Sequence, residues 1–322
     1  MILSIKNKTR SFGDKNRPFS YTVSERLRPL IKEGDLKLAT FYNQATLNLN
    51  GRRLTSNQTE GEVLTRVTLT KTAVSGDYGP GDNIVYAITL VNTDGTAKND
   101  ITLTDNLGVI TLPGGNEVTP LSYTGGNVLY YQNGILQPTP AVTAGPPLVI
   151  SGIDIPAGGN AVILYEVEAN EYAPRGENAF INNEVTADGE GLCDLLTDTA
   201  TIPTRNEATL SIAKAICPDT VSCGDEITYT FIIQNTGNTA VVATDNLTVT
   251  DLFDPPLTNI RVALNGTPLT EGTGYTYDET TGEFATVGGA IPLPAAAFTR
   301  DPVTGVVNTT PGVATLTVTG TI

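Results

Sequence analysis

Gly81-Asp82-Asn-Ile-Val-Tyr86-Ala-Ile-Thr-Leu90-Val-Asn92 returns later in the chain as Gly224-Asp225-Glu-Ile-Thr-Tyr229-Thr-Phe-Ile-Ile233-Gln-Asn235. Gly81 to Gly224, Tyr86 to Tyr229 and Asn92 to Asn235 are each separated by 143 residues. A constant offset over glycine, aromatic and amide landmarks marks an internal repeat. Within each copy apolar and polar residues alternate, as in Val85-Tyr-Ala-Ile-Thr-Leu90 and Thr228-Tyr-Thr-Phe-Ile-Ile233. Period two is the signature of a strand with one buried face, so the repeated unit is a β-domain.

Outward from this core the two copies keep step. Val67-Thr-Leu-Thr-Lys71 precedes the first and Ala208-Thr-Leu-Ser-Ile precedes the second. Leu103-Thr-Asp105 answers Val249-Thr-Asp251 at an offset of 146, so about three residues enter the turn over 238–246. Asn133-Gly134 and Asn265-Gly266 read as tight hairpin turns. The first copy continues through Ile155-Pro-Ala-Gly-Gly159 and Ala161-Val-Ile-Leu-Tyr-Glu-Val167 to Phe180-Ile-Asn-Asn-Glu-Val185. The second has Ile291-Pro-Leu-Pro294 and Val313-Ala-Thr-Leu-Thr-Val318, and then nothing like Phe180–Val185. A similar stretch stands before both copies instead, as Phe41-Tyr-Asn-Gln-Ala-Thr.

This order predicts three parts. Residues 1–66 are an N-terminal arm with a donor-strand hairpin, 67–205 a complete β-sandwich, and 206–322 an incomplete one that a neighbouring subunit completes. An open sandwich exposes backbone donors and acceptors beside an apolar groove, and an inserted strand supplies both partners. Alternation puts Phe41, Asn43, Ala45, Leu47 and Leu49 on one face, the inward one by apolar content. Asn43 then needs a buried polar partner. The groove is expected beside the last strand, with Ala314, Leu316 and Val318 as the receiving side chains. Such a contact runs head-to-tail and does not close, so its partners are further copies of the chain. Packing of the hairpin within its own chain is the alternative.

The formal charge of −15 is unevenly spread: residues 1–40 carry a net +5 and residues 41–322 a net −20. A basic head attracts an acidic body, whereas a body this acidic repels phosphate, which argues against nucleic acid. No apolar run is long enough to span a membrane. The first residues lack the apolar core of a secretory leader, so export without a signal peptide is expected.

The 322 residues include no His, one Met and three Cys, which leaves few metal ligands or acid–base groups. Neither an enzyme nor a cofactor is expected. Asp82, Asp105, Asp225 and Asp251 recur at matching positions and are read as caps of backbone N–H groups. Asp245, Asn246, Asp251 and Asp254 cluster as oxygens of the kind calcium takes, without a known loop spacing. Cys217 and Cys223 flank five residues whose fold-back would allow a disulfide of roughly 2–3 kcal/mol, free thiols being the alternative. Cys193 is left over, a candidate for pairing between chains. Tyr123, Tyr130, Tyr131, Tyr275 and Tyr277 are candidate stacking surfaces for an adhesive or carbohydrate-binding module, the second functional reading.

Leu69-Thr-Lys-Thr with Gly81–Thr93 and Ile101-Thr-Leu-Thr-Asp105, and again Ile212-Ala-Lys214 with Gly224–Asn238 and Val249-Thr-Asp251, resemble the DUF11 family of bacterial surface repeats, clostridial and bacillar members in particular. The resemblance covers about residues 67–322. It implies tandem immunoglobulin-like β-sandwiches, and hence an all-β fold with a displaced N-terminal closing hairpin. It also implies a structural role in an extracellular fibre or a spore or cell-surface appendage, with release on lysis of the mother cell. Some fibrous surface sandwiches join a Lys to an Asn beside a buried carboxylate. Lys71 and Lys214 lie in first strands, Asn182, Asn183 and Asn43 in closing strands, and Glu184 is the candidate carboxylate in the first unit, with lysines that alternate and snorkel at a sandwich rim as the alternative.

Overall fold

A computed structural model describes residues 38–64, 66–126 and 128–322. The basic head falls in residues 1–37, outside the described residues. Apart from a single 3-10 turn at Ala243–Asp245, all regular structure among the described residues is β-strand, as the alternating patterns require. The chain divides into two units, Met1–Leu64 and Thr65–Ile322.

The first unit holds a hairpin. Leu38–Asn43 pairs antiparallel with Thr59–Leu64, and Thr46–Leu49 with Arg52–Thr55. Asn50 and Gly51 turn the chain with φ of +48° and +81°, the left-handed pair that a two-residue hairpin loop demands. Between the two ladders Ala45 donates its N–H to Ser56 Oγ and accepts from Ser56 N, both at 2.9 Å. The Phe41 ring lies across Gly61, where a Cβ would collide with it. Phe41, Tyr42, Leu47 and Leu54 are all more than half exposed.

In the second unit the first repeat folds as a sandwich of two antiparallel sheets. One sheet runs Ile135–Leu136, Leu129–Gln132, Asn160–Ala169, Asn83–Asn92, Val67–Ala73. The other runs Ala141–Thr143, Leu148–Ile155, Lys98–Asp105, Phe180–Glu190, Leu196–Pro203. Alternate residues of Asn83–Asn92 and Asn160–Ala169 are buried, so each strand gives one side to the core. Tyr86 stands opposite Tyr165 across the central pair, with ring centroids 5.9 Å apart.

The second repeat builds the same first sheet in the order Leu210–Cys217, Glu226–Asn235, Gly312–Thr321, Thr258–Leu264, Thr267–Pro268. Its facing sheet has only Thr250–Leu252, Glu283–Thr286 and Tyr275–Tyr277. Asn92 and Asn235 fix the register of the repeat. Both are buried; each donates its amide to the carbonyl four residues on, Thr96 or Thr239, and to Pro156 or Pro294. Ile155-Pro156 therefore answers Leu293-Pro294 and not Ile291-Pro292, as the residue order had suggested. A further hairpin, Ala297–Arg300 with Val307–Thr310, follows in the second repeat. It reaches the first sandwich, with Arg300 Nη2 donating to Tyr172 O at 2.9 Å and Val307 N to Glu171 O at 3.0 Å. Asn238 adds a bond from its amide to Arg205 O at 3.1 Å, so the two sandwiches are fastened at several backbone points.

Candidate functional site: an unpaired edge and two lysine sites

Lys98–Asp105 of the first sandwich is flanked on both sides. Asp105 lies opposite Leu148 on one neighbour and Val185 on the other. Its counterpart Thr250–Leu252 pairs with Glu283–Thr286 alone, Asp251 lying opposite Phe284. The places that Phe180–Glu190 and Leu196–Pro203 hold in the first sandwich are unfilled by any described residue of the second repeat. The groove expected beside Ala314, Leu316 and Val318 is not there. Gly312–Thr321 is paired on one edge by Glu226–Asn235 and on the other by Thr258–Leu264, and all three side chains are fully buried. The free edge belongs to the opposite sheet, because the two strands without a described counterpart lie beside Asp251's strand in space and not beside Gly312–Thr321.

Burial records the same difference. Val67 is 3% exposed where Leu210, its counterpart, is 41% exposed. Ile212 and Ile216 are also exposed, as is Leu252 on the free edge. Covering such side chains is worth roughly 1.5–3 kcal/mol each, so the surface favours a partner.

A lysine lies on each first strand. Lys71 Nζ sits 2.8 Å from Asp105 Oδ2, and both side chains are buried. Tyr165 donates its hydroxyl to the same carboxylate oxygen, and Leu107 N donates to the other at 2.9 Å. The cap expected of Asp105 is present, yet its second oxygen serves the lysine. Nζ also lies 4.9 Å from the centroid of the Tyr86 ring. Burial lowers the Lys71 pKa to about 8, against the pull of Asp105, Asp198 and Glu184. Burial raises Tyr165 well above the usual phenol range, and Asp105 adds to it; the same two causes raise Tyr86. Asn183 completes the group. It is fully buried, and its Nδ2 and Oδ1 both lack a hydrogen-bond partner, as does the Tyr86 hydroxyl. The amide neighbours the Tyr86 and Tyr165 hydroxyls without reaching hydrogen-bond geometry to either. Glu184, the carboxylate expected here, is exposed, as is Asn182. Strand alternation turns Asn183 inward and its two neighbours out.

The second site is the same half without the asparagine. Lys214 Nζ is paired with Asp251, and the two side chains are 41% and 18% exposed. Nζ stands 4.6 Å from the centroid of Tyr229 and 5.4 Å from those of Phe231 and Phe253. Val318, opposite Tyr229, occupies the place that Tyr165 holds opposite Tyr86.

The other expected site residues are not brought together. Cys193, Cys217 and Cys223 are exposed free thiols. Asp245 accepts from Val242 N at 2.8 Å while Asp251 is engaged by Lys214, and no group of metal-ligating side chains occurs among the described residues. Tyr130 and Tyr275 are buried, and the Tyr277 hydroxyl is tied to the Leu257 backbone. No described helix is long and apolar enough to cross a membrane.

No protein-family model matches the chain, and no curated protein does, so the DUF11 resemblance rests on the quoted motifs. Among solved structures, the chain is similar to the major pilin subunit BcpA of Bacillus cereus at 12% identity. That match covers 85% of this chain and 73% of the pilin, with a TM-score of 0.31. The full-length major pilin SpaD of Corynebacterium diphtheriae matches at 12% identity, over 76% of this chain and 58% of that one, with a TM-score of 0.32. A family 123 glycoside hydrolase from Clostridium perfringens matches at 11% identity, over 44% of this chain and 28% of the hydrolase, with a TM-score of 0.28. Similarity this slight transfers no function.

Proposed function

We propose that this chain is a structural subunit of an extracellular fibre, or of a spore or cell-surface appendage, polymerised head-to-tail by donor-strand complementation. It is not an enzyme in this reading and takes no cofactor. The observation that carries the reading is a match in strand number and pattern. The second sandwich is short of two adjacent antiparallel strands beside Thr250–Leu252, and residues 38–64 form one antiparallel hairpin whose two arms, 38–49 and 52–64, are each built of two short strands.

The faces match as well. In the first sandwich Ile181, Asn183, Val185 and Ala187 are the buried residues of the closing strand. Phe41, Asn43, Ala45 and Leu47 repeat that order on the inward face of the arm. Phe41 thus takes the place of Ile181, one residue away from the Phe41-to-Phe180 alignment that the motif suggested. In this register Asn43-Gln-Ala-Thr46 falls on Asn183-Glu-Val-Thr186, so the asparagine and the threonine coincide. Phe41 and Leu47, each exposed in the arm, would contribute roughly 1.5–3 kcal/mol apiece on burial. A slip by one residue would turn the opposite face inward, so the insertion also sets the register of the fibre.

Electron microscopy and sedimentation of the full chain and of a form lacking residues 1–66 test the reading. The full chain should form long polymers and the truncated form should stay monomeric and folded. Equal assembly by both, or a full chain that remains monomeric with its arm packed on its own second sandwich, would overturn it.

A further inference from the structure

We propose that Lys71 and Asn183 are joined by a side-chain amide bond, and that Lys214 forms the same bond with Asn43 of the adjoining copy. The first bond stands on the buried cluster alone. The second rests in addition on the proposed donor-strand assembly.

An asparagine amide shut away from water with no hydrogen-bond partner is costly, and here both its polar atoms are in that state. The arrangement becomes intelligible as the reactants of an acyl transfer. Asn183 lies two residues from Val185, the residue opposite Asp105, so its side chain emerges on the inner sheet face that carries Asp105, the carboxylate that Lys71 reaches from the facing sheet. The lysine is the nucleophile and the carboxamide carbon the electrophile. Asp105 first takes a proton from the ammonium. The free amine then attacks the carboxamide carbon, forming the new C–N bond. Asp105 hands its proton to the departing nitrogen, which leaves as ammonia when the old C–N bond breaks. The surplus proton on the new amide nitrogen returns through Asp105 and leaves with the ammonia as ammonium. No electrons are transferred and no co-reactant is needed. The unpaired Tyr86 hydroxyl is a donor ready for the oxyanion of the tetrahedral intermediate. Burial serves twice, bringing the lysine nearer its neutral form and excluding the water that would hydrolyse the amide instead.

The second sandwich supplies a separate observation. Lys214 and Asp251 repeat the nucleophile and the proton carrier, with Tyr229 in the place of Tyr86, yet the strand bearing the asparagine is absent from the repeat. In the register given above, Ala45 of the donor lies opposite Asp251 as Val185 lies opposite Asp105. Asn43 then falls where Asn183 does. The polar residue on the apolar face of the arm thereby gains its partner, and each junction of the fibre is closed by a covalent bond.

Mass spectrometry of the full-length chain in its unassembled form decides the first bond. The intact mass should be lower than the sequence mass by one ammonia, and a digest should yield a branched peptide containing Lys71 and Asn183. Asp105→Asn should restore the full mass, as should Asn183→Ala. Full mass in the folded native chain would overturn the bond. For the second bond, polymers are boiled in detergent with reductant, which removes any contribution from Cys193. Native polymers should run as a ladder of multiples, whereas Asn43→Ser polymers should form and then fall to single chains. Native polymers that dissolve to single chains, or Asn43→Ser polymers that keep the ladder, would overturn the inter-copy bond and leave strand insertion standing. Absence of any polymer would count against strand insertion itself, without touching the first bond.

Discussion

The two sandwiches of this chain carry the same lysine, the same aspartate and the same aromatic neighbour, and differ in whether two strands lie over them. Lys71 and Asp105 are buried beneath Phe180–Glu190 and Leu196–Pro203, whereas Lys214 and Asp251 stay partly in water at the unpaired edge. Identical chemistry thus gives a closed site in one repeat and an open one in the other. The difference teaches that the state of an ion pair here is set by strand count, since covering strands remove the solvent that screens it.

Breaking each pair in turn gives the widest contrast. Leu47→Asp, which places a charge on the inserted face, should abolish polymer formation outright in a sedimentation assay while the first sandwich stays folded. Asp105→Ala leaves a buried ammonium alone and should cost about 3–5 kcal/mol in denaturant unfolding. Asp251→Ala should cost less than about 1 kcal/mol in the monomer, because Lys214 remains accessible to water.

A pH series sharpens the comparison. In Asn183→Ala the lysine stays an amine with a folded pKa of about 8, below its ordinary value of 10.5. The unfolded chain then binds more protons than the folded one between those values, so stability rises with pH across that window. The gain should approach about 3 kcal/mol, read as the change across that window in the difference in unfolding free energy between the variant and the native chain. Under the proposed amide bond the native chain should lack this slope. Asp105, Asp198 and Glu184 act electrostatically on the same nitrogen, the Tyr86 ring lies beside it and Tyr165 is bonded to Asp105, but all are present in both proteins, so the difference isolates Lys71. Should the two slopes coincide, the amide bond is absent. The smallest effect concerns Leu210. Leu210→Ala should shift monomer stability by about 0.5 kcal/mol at most, since the side chain is already largely in water. In the polymer the amides of Thr250–Leu252 should gain protection from hydrogen exchange, a change with no parallel in Lys98–Asp105.

Much of this was legible in the residues. The 143-residue offset of Tyr86 and Tyr229 marks paired strands, and Asn92 and Asn235 do occupy equivalent buried positions. Other features were beyond reach. Asp105 reads as a cap because it is one, and nothing local tells that its other oxygen meets a lysine 34 residues away. Asn182 and Asn183 are indistinguishable in composition, and Glu184 adjoins Asn183 in sequence whereas Asp105, the carboxylate that pairs with Lys71, lies far from it along the chain. The free edge was sought beside Ala314, Leu316 and Val318 because those residues close the repeat in sequence order, while in space they lie at the centre of a sheet.

The sequence by itself determined the repeat, the strand period, the shortage of catalytic groups and the face that the central strands of the two sandwiches turn inward, since these depend on neighbours along the chain. The tertiary structure alone decided which edge of the second sandwich is unpaired, which carboxylate meets Lys71, and that Asn183 is buried without a partner. Those facts arise from pairings between strands far apart in sequence, where period two fixes the face of a residue but leaves its opposite number open.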